Sequence, residues 1–288
     1  MDYHSDRFQD YSLMVFKGEQ LVALFPANQV ENALYSHQGL SYGGILVKAS
    51  VRIEIYTRIV GALLDFVLNE GFDCIYIKEL PPVYHKSLSL EFDYLLGYLP
   101  SECVKTDSYF VIDDLEHYQP NRNRKRALKV AQSQDIQIVK SNDITFFWEA
   151  ILAKNLQERF NVLPVHKVDE MTRLMQAFPE NIEFYTALRN TDVLAGVVLF
   201  VMEDIVHFQY SSGDDLRSET GGLDLLFHAI IEKYSYKKFV SFGSSSTDSS
   251  LKINTGLAYW KESFGAKVIP QRTYKLDLKT LKPVNLFF

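Results

Sequence analysis

The segment 253-INTGLAYWKESFGAKV-268 runs from an Asn through apolar and aromatic residues to Phe-Gly-Ala, and then into strand-like sequence. Asn is a preferred helix N-cap because its side-chain oxygen accepts a bond from a backbone N–H of the first turn. Gly265 is the residue type that closes a helix in a left-handed turn, since it lacks the Cβ that penalises positive φ. The segment therefore reads as a short helix begun at Asn254, ended at Gly265 and followed by a strand over 267-KVIPQRTYKLDL-278.

Upstream, apolar periodicity predicts alternating elements. A strand, 238-KFVSF-242, and a Ser-rich loop precede the helix. Before them come a Gly-led helix, 221-GGLDLLFHAIIEKYS-235, and three strands, 182-IEFYTALR-189, 193-VLAGVVLFV-201 and 205-IVHFQYSS-212. Helices are expected over 143-DITFFWEAILAKNLQERF-160 and 167-KVDEMTRLMQAF-178, after a strand at 136-IQIVK-140. The first half predicts strands at 12-SLMVF-16, 20-QLVALF-25 and 30-VENALYS-36, then a helix over 51–71, a strand at 73-DCIYIK-78, a helix over 88–99 and a strand at 102-ECVKTDSYFVI-112. Between the halves, 119-QPNRNRKRALKVAQSQ-134 is a basic helix and the densest positive cluster. It marks a seam, giving an N-terminal module over 1–118 and a C-terminal module over 119–288 that starts with the basic connecting helix.

The halves resemble each other. Phe239 minus Cys74 and Tyr274 minus Tyr109 both give an offset of 165, which also sets Tyr94 on Tyr259. Upstream the offset grows, requiring an insertion of about ten residues in the first half, a size a surface loop tolerates. This order points to an internal duplication; a chance offset in an α/β chain is the other reading.

Composition bounds the partners. The 288 residues, 47% hydrophobic and 23% charged, suffice for one large or two modest globular domains. A formal net charge of −6 excludes nucleic-acid binding through the overall field, so no DNA partner is expected and any phosphate must meet a local basic patch. Cys74 and Cys103 sit in strand-like runs and read as reduced, buried thiols of a cytoplasmic protein. No apolar run reaches the length of a membrane span, and the N-terminus has no signal-peptide pattern. No His/Cys pair has zinc spacing, so no metal is expected. No phosphate-binding P-loop, dinucleotide fingerprint or nucleophile elbow occurs.

The order strands, Gly-led helix, strand, Asn-initiated helix, Phe-Gly-Ala, strand resembles the GNAT acyltransferase module. Asn254 and Gly265 hold the ends of that family's Asn-to-Gly helix spacing, while Leu257 and Lys261 depart from its usual Ala and Tyr. The form 256-GLAYWKESFGA-266, together with the basic helix and following strand over 122–139, resembles the Fem peptidyltransferase-like branch, which carries two GNAT modules in tandem. The resemblance implies an α/β (α+β) fold of two GNAT-like modules, each a mixed, mostly antiparallel sheet flanked by helices. It implies acyl-CoA (acetyl-CoA) as co-substrate and a small acceptor amine, such as an amino sugar or cell-envelope glycan precursor. The family's pyrophosphate signature is degenerate here, since 217-RSETGG-222 has its Arg and glycines at the wrong spacing. The long helical hairpin of several tRNA-using Fem ligases is missing, which with the acidic charge argues against tRNA.

Acyl transfer needs a slot for the donor, N–H groups for its pyrophosphate, a donor for the carbonyl oxygen and a path for the amine proton. On 205-IVHFQYSSG-213, strict alternation puts Val206, Phe208 and Tyr210 on one face and His207, Gln209 and Ser211 on the other. The resemblance places acyl-CoA along 209–222, giving Gln209, Tyr210, Ser211, Arg217, Thr220, Gly221, Gly222 and Asn254 as cofactor-binding candidates. Thr220-Gly221-Gly222 is either a phosphate-approaching helix start or a turn that needs Gly for geometry. His207 is the candidate base, or a histidine on a solvated strand face. Lys261 is a donor to a diphosphate or acyl oxygen, an acid for the leaving thiolate, or an exposed helix lysine. Arg124 and Lys125 in the basic run are acceptor-phosphate candidates or a solvated face. His37 and Tyr42 in 35-YSHQGLSYGG-44 are acceptor-binding candidates at the seam, or parts of a structural turn. Two other functions stay open: an aminoacyl-tRNA-dependent peptidoglycan-bridge ligase, and a degenerate non-catalytic binding protein.

Overall fold

In the computed structural model, which describes residues 5–215, 217–247 and 252–281, the chain forms two compact units, neither of them one continuous stretch. The first consists chiefly of the chain up to Asp107 and from Pro270 onward; the second consists of Ser108–Thr247 and Ile253–Ile269.

The first unit contains β1 (Gln9–Asp10), β2 (Leu13–Lys17), β3 (Gln20–Phe25), β4 (Asn28–Val30), β5 (Ala33–Tyr35), β6 (Leu46–Val47), α1 (Ile53–Asn69), β7 (Cys74–Lys78), α2 (Glu91–Leu96) and the first part of β8 (Ser101–Ile112). Its main sheet runs β1-β4-β5-β7 and is completed by the last strand among the described residues, β14 (Lys267–Asp277), whose residues 273–277 pair antiparallel with β7. Among the described registers of this unit, β5 and β7 are the one parallel pair. A small sheet, β2-β3-β6, lies apart from it in the pairing order. The apolar spacing of α1 puts Tyr56, Val60, Leu63, Leu64 and Val67 on a buried face, where they join Phe25, Leu34, Ile75 and Ile77 in one core. Each such side chain contributes roughly 1.5–3 kcal/mol of burial. The strand read over 30–36 is instead two: Glu31 takes a positive φ of 52°, and the chain turns so that Val30 pairs with Ala33. Cys74 is half-buried and Cys103 exposed, because the first half of β8 leaves its side chains largely uncovered; the expectation of two buried thiols fails for Cys103.

The second unit contains α3 (Arg122–Gln132), β9 (Gln137–Ser141), a π-helical segment (Phe147–Ala153) running into α4 (Lys154–Phe160), α5 (Val168–Ala177), β10 (Ile182–Arg189), β11 (Asp192–Val201), β12 (Ile205–Gly213), α6 (Arg217–Thr220), α7 (Gly222–Lys233), β13 (Phe239–Ser244) and α8 (Thr255–Glu262). Its sheet runs β8-β13-β12-β11-β10-β9, with β12 and β13 the one parallel pair among the described registers. A core of Val197, Leu199, Val206, Phe208, Phe227 and Phe264 fills one face, with Phe208 stacked on Phe227 at 3.9 Å between ring centroids. A second core, with Phe147, Trp148, Met171 and Phe184, fills the other. Gly196 lets the π segment approach: a Cβ there would stand 2.4 Å from the Phe147 ring. The two sheets repeat one order. In each, a strand pairs in parallel with the strand that follows the next long helix, and that strand then pairs antiparallel with a closing strand. Among the described residues no helix is long and apolar enough to cross a membrane.

Candidate functional site

The parallel pairing of β12 and β13 stops early. Ile205, Val206 and His207 pair with Phe239, Val240 and Ser241, and no further rung forms. On the opposite edge of β12, Leu199 pairs with Phe208 and Val198 with Tyr210, leaving Gln209 as an extra, bulged residue. A one-residue bulge flips every later side chain to the other face. The strict alternation expected for this strand is thereby corrected: Phe208 packs in one core, while Tyr210 packs with the other beside Trp148, at 4.8 Å between rings.

The fork between the two strands is filled from α8. Asn254 caps that helix by accepting from Leu257 N at 3.0 Å, and Gly265, at φ 92°, lets the chain leave it. Lys261, in the last turn, is 3% exposed. Its Nζ donates to Gly243 O at 3.0 Å and Ser244 O at 2.7 Å, and it lies 5.5 Å from the Phe110 ring centroid. An ammonium has three donors, so one is left beyond these two bonds. Burial pushes its pKa down to about 7. His207 occupies the last paired rung at 6% exposure, with Nδ1 at 3.1 Å from Ser241 Oγ. Its ring lies against Gly243, where a Cβ would stand 3.4 Å from Cε1 at a φ of +69°. Burial first, and then the charge of Lys261, push the imidazole down to about 4, so it is neutral at neutral pH and a weak proton acceptor.

The start of α7 is differently committed. Gly221, at φ +66°, meets Ala131 of α3, and Gly222 meets Leu194 of β11; an added Cβ would lie 3.0 Å from each. Thr220 Oγ1 accepts from Gly222 N at 3.3 Å. In the first turn Asp224 accepts from Trp260 Nε1 at 2.8 Å and pairs with Arg124, whose Nε donates to Ser263 Oγ at 2.9 Å. The Arg124 guanidinium also lies 4.7 Å from the Phe264 ring centroid. The glycines thus allow close helix packing, and a carboxylate already meets the positive end of the helix.

No family model matches the chain, and no curated protein matches it in sequence. Solved structures do. The structure of FemX is similar over 97% of this chain and 91% of that one, at 11% identity and a TM-score of 0.67. A C-terminal domain of a putative lysylphosphatidylglycerol synthetase from Agrobacterium fabrum is similar over 93% and 83%, at 11% identity and 0.60. A tandem GNAT protein from the clavulanic acid biosynthesis pathway is similar over 94% and 83%, at 7% identity and 0.52.

The chain has a tandem GNAT-like fold.

Within that fold the fork of the second unit brings together His207 and Lys261, which both touch Gly243, with Gln209 next to them as a hydrogen-bond partner of His207. Tyr210 bonds His166 Nδ1 at 2.6 Å, and Ser211 is exposed. Arg217 belongs to α6, and its side chain lies outside the described residues. Lys125 is exposed and donates to Gln119 at 3.1 Å; with Arg122, Arg126 and Lys129 it lines a shallow basic depression of about 420 Å³ along α3. In the first unit His37 is buried at a φ of 50° and its Nδ1 accepts from Gly39 N at 3.2 Å. Tyr42 stacks obliquely on Tyr84 at 4.5 Å. Gly43 donates to Lys78 O, and a Cβ there would collide with Ser36 O at 2.1 Å. Three residues went unread in the sequence. Ser241 and Gly243 build the fork, and the Gly within a strand was the available signal. Asp224, on the anchoring face of α7, carried no signal beyond its place in a first turn.

Proposed function

We propose that the second unit transfers an acyl group to the amine of a small acceptor, in the manner of the Fem-like tandem GNAT branch, with Lys261 as the donor that meets the carbonyl oxygen. The amine nitrogen attacks the carbonyl carbon, the oxygen gains negative charge, and the bond to the leaving group breaks as the carbonyl re-forms. The observation that carries this is Lys261 itself: a buried amine held by two β13 carbonyls at the fork, with a third donor beyond them. Preorganised donors of this kind act where oxyanion charge develops, and removing one slows the step by about a hundredfold or more. A thiolate leaves without an acid because a thiol's pKa is about 8.5, whereas the departing oxygen of an ester takes up the proton that the amine gives up. The neutral, weakly basic His207 fits a positioning role, so the amine proton leaves through a water relay.

The donor is either acyl-CoA, as the module implies, or an aminoacyl ester, as the Fem resemblance implies. The anchoring of α7 favours the second, because Asp224 and the packed glycines take up the helix start where a CoA pyrophosphate would sit. The acceptor fits an amino sugar or cell-envelope precursor, with the basic groove of α3 as a phosphate contact. The test is thermal unfolding with acetyl-CoA, a longer acyl-CoA, and aminoacyl-tRNA. A donor at about a hundred times its Kd stabilises by about 2.7 kcal/mol, a shift of a few degrees. The donor that shifts the midpoint is then used to measure transfer by the Lys261→Met variant. A midpoint unmoved by all three donors, or full transfer by that variant, would sink the reading.

A further inference from the structure

Four cations on α3 stand apart from the rest of the chain's charge. Arg122, Lys125, Arg126 and Lys129 fall at i, i+3, i+4 and i+7, so they share one face of the helix over about 10 Å. They line the basic depression on that face. All four are exposed, and among the described residues none of them is held in an ion pair; Lys125 bonds a neutral amide, that of Gln119. Arg124 is the contrast, a fifth cation of the same helix that turns inward onto Asp224. Leu128 and Ala131 pack with Leu225 of α7, which fixes the helix with its four cations outward.

This stripe costs the fold stability. Like charges three and four residues apart on a helix repel, and the face holds four such pairs, with no acid among the residues of α3. Acids are not scarce in the chain, which has 36 of them against 30 Lys and Arg. They are absent from this helix. An uncompensated stripe of this kind is relieved by an external anion. The flank beside it is apolar. Asn123 and Val130 lie on that flank seven residues apart, and Val130 is more than half exposed. Asn123 Nδ2 donates to the Tyr259 hydroxyl at 3.2 Å, which sets the exposed Tyr259 of α8 beside the first turn.

We infer that α3 docks the protein on the surface of an anionic lipid bilayer, its four cations meeting headgroup phosphates while Val130 and Tyr259 sit at the headgroup boundary. The cations spread over two turns of a convex helix face, so one free phosphate leaves some of them unmet, whereas a charged surface meets them together. Basic clusters on a helix are drawn to anionic lipid, and a Tyr ring with its polar tip suits the headgroup level. The inference rests on the reading of this groove as a phosphate contact and stands apart from the transfer chemistry of the fork.

The test is co-sedimentation of the full chain with vesicles of phosphatidylcholine alone, or of phosphatidylcholine and phosphatidylglycerol in equal parts. Binding is expected to the mixed vesicles only, and should be lost as salt rises from about 0.05 M to about 0.5 M. Each cation near an anionic surface contributes about fivefold, so the double variant Arg122→Ala/Lys129→Ala should bind about thirtyfold more weakly. Lys17→Ala, an exposed lysine of the first unit, should bind as the parent does. Equal binding to phosphatidylcholine alone, no binding to the mixed vesicles, or unchanged binding by the double variant overturns the proposal. Displacement from the mixed vesicles by polyuridylate or by inorganic phosphate, at the same concentration of phosphate groups, would assign the stripe to RNA or to a free phosphate and overturn it equally. The thermal midpoint of each variant, with and without the second unit's donor, reports folding and the state of the fork. Failure at the stripe is thereby separated from failure of the transfer reading.

Discussion

Lys261 shows how one side chain is set by its surroundings. Alone on a helix it would snorkel; here α8 aims it at two β13 carbonyls, and only 3% of it is exposed. Two carbonyls do not replace water around an ammonium, so burial lowers its pKa to about 7. The consequence for stability has a definite sign. Between the folded value of about 7 and the unfolded value of 10.5, the unfolded chain holds more protons, so stability rises with pH across that window. Its slope is at most about 1.4 kcal/mol per pH unit. Below that window the burden of a buried charge is fully present. Lys261→Met should therefore stabilise the protein most at pH below the window and lose that advantage as pH rises through it. Urea midpoints of both proteins across the window check this, and parallel pH dependences would show the lysine to be unperturbed. His207, held down at about 4 by burial, adds a similar rise at lower pH, from about 4 to its unfolded value of 6.5.

At the scale of elements, the sequence was legible wherever burial imposes a period. The helix from Asn254 to Gly265 and the strands at 182–189 and 193–201 appear where apolar spacing puts them. The bulge at Gln209 was not legible, because an extra residue in a strand changes no composition and still reorients Tyr210 and everything after it. Nor did the basic composition of α3 reveal that Arg124 turns inward while Lys125 faces out. That difference is testable. Asp224→Ala strands Arg124 in a half-apolar setting beside Trp260 and Phe264, and should destabilise by about 3 kcal/mol. Lys125→Ala should change stability by less than about 0.5 kcal/mol. Equal effects in chemical denaturation would refute the anchoring role of the pair. Close approach gives a second case: Gly196→Ala drives a Cβ into the Phe147 ring, 2.4 Å away, and should destabilise by about 1–3 kcal/mol. A variant as stable as the parent would mean that the π segment yields freely.

At the scale of the whole molecule, the chain repeats one strand order, and its two units interleave in sequence. Residues 273–277 complete the first unit's sheet against β7, and residues 109–112 complete the second unit's sheet against β13. The last strand of each half is thus a structural part of the unit that the other half begins. A piece ending at residue 118 lacks β14, so β7 loses its antiparallel neighbour and Leu276 and Leu278 leave the core around Ile75 and Ile77. A piece beginning at residue 119 lacks β8, so β13 loses its neighbour and Phe110 and Ile112 leave the larger core. Each missing pair of side chains removes roughly 3–6 kcal/mol of burial, comparable to the whole stability of a modest domain. Expressed alone, pieces 1–118 and 119–288 should show no cooperative thermal transition. The same pieces with the missing strand appended through a flexible linker should regain one. A cooperative melt of either bare piece would mean that its closing strand is dispensable.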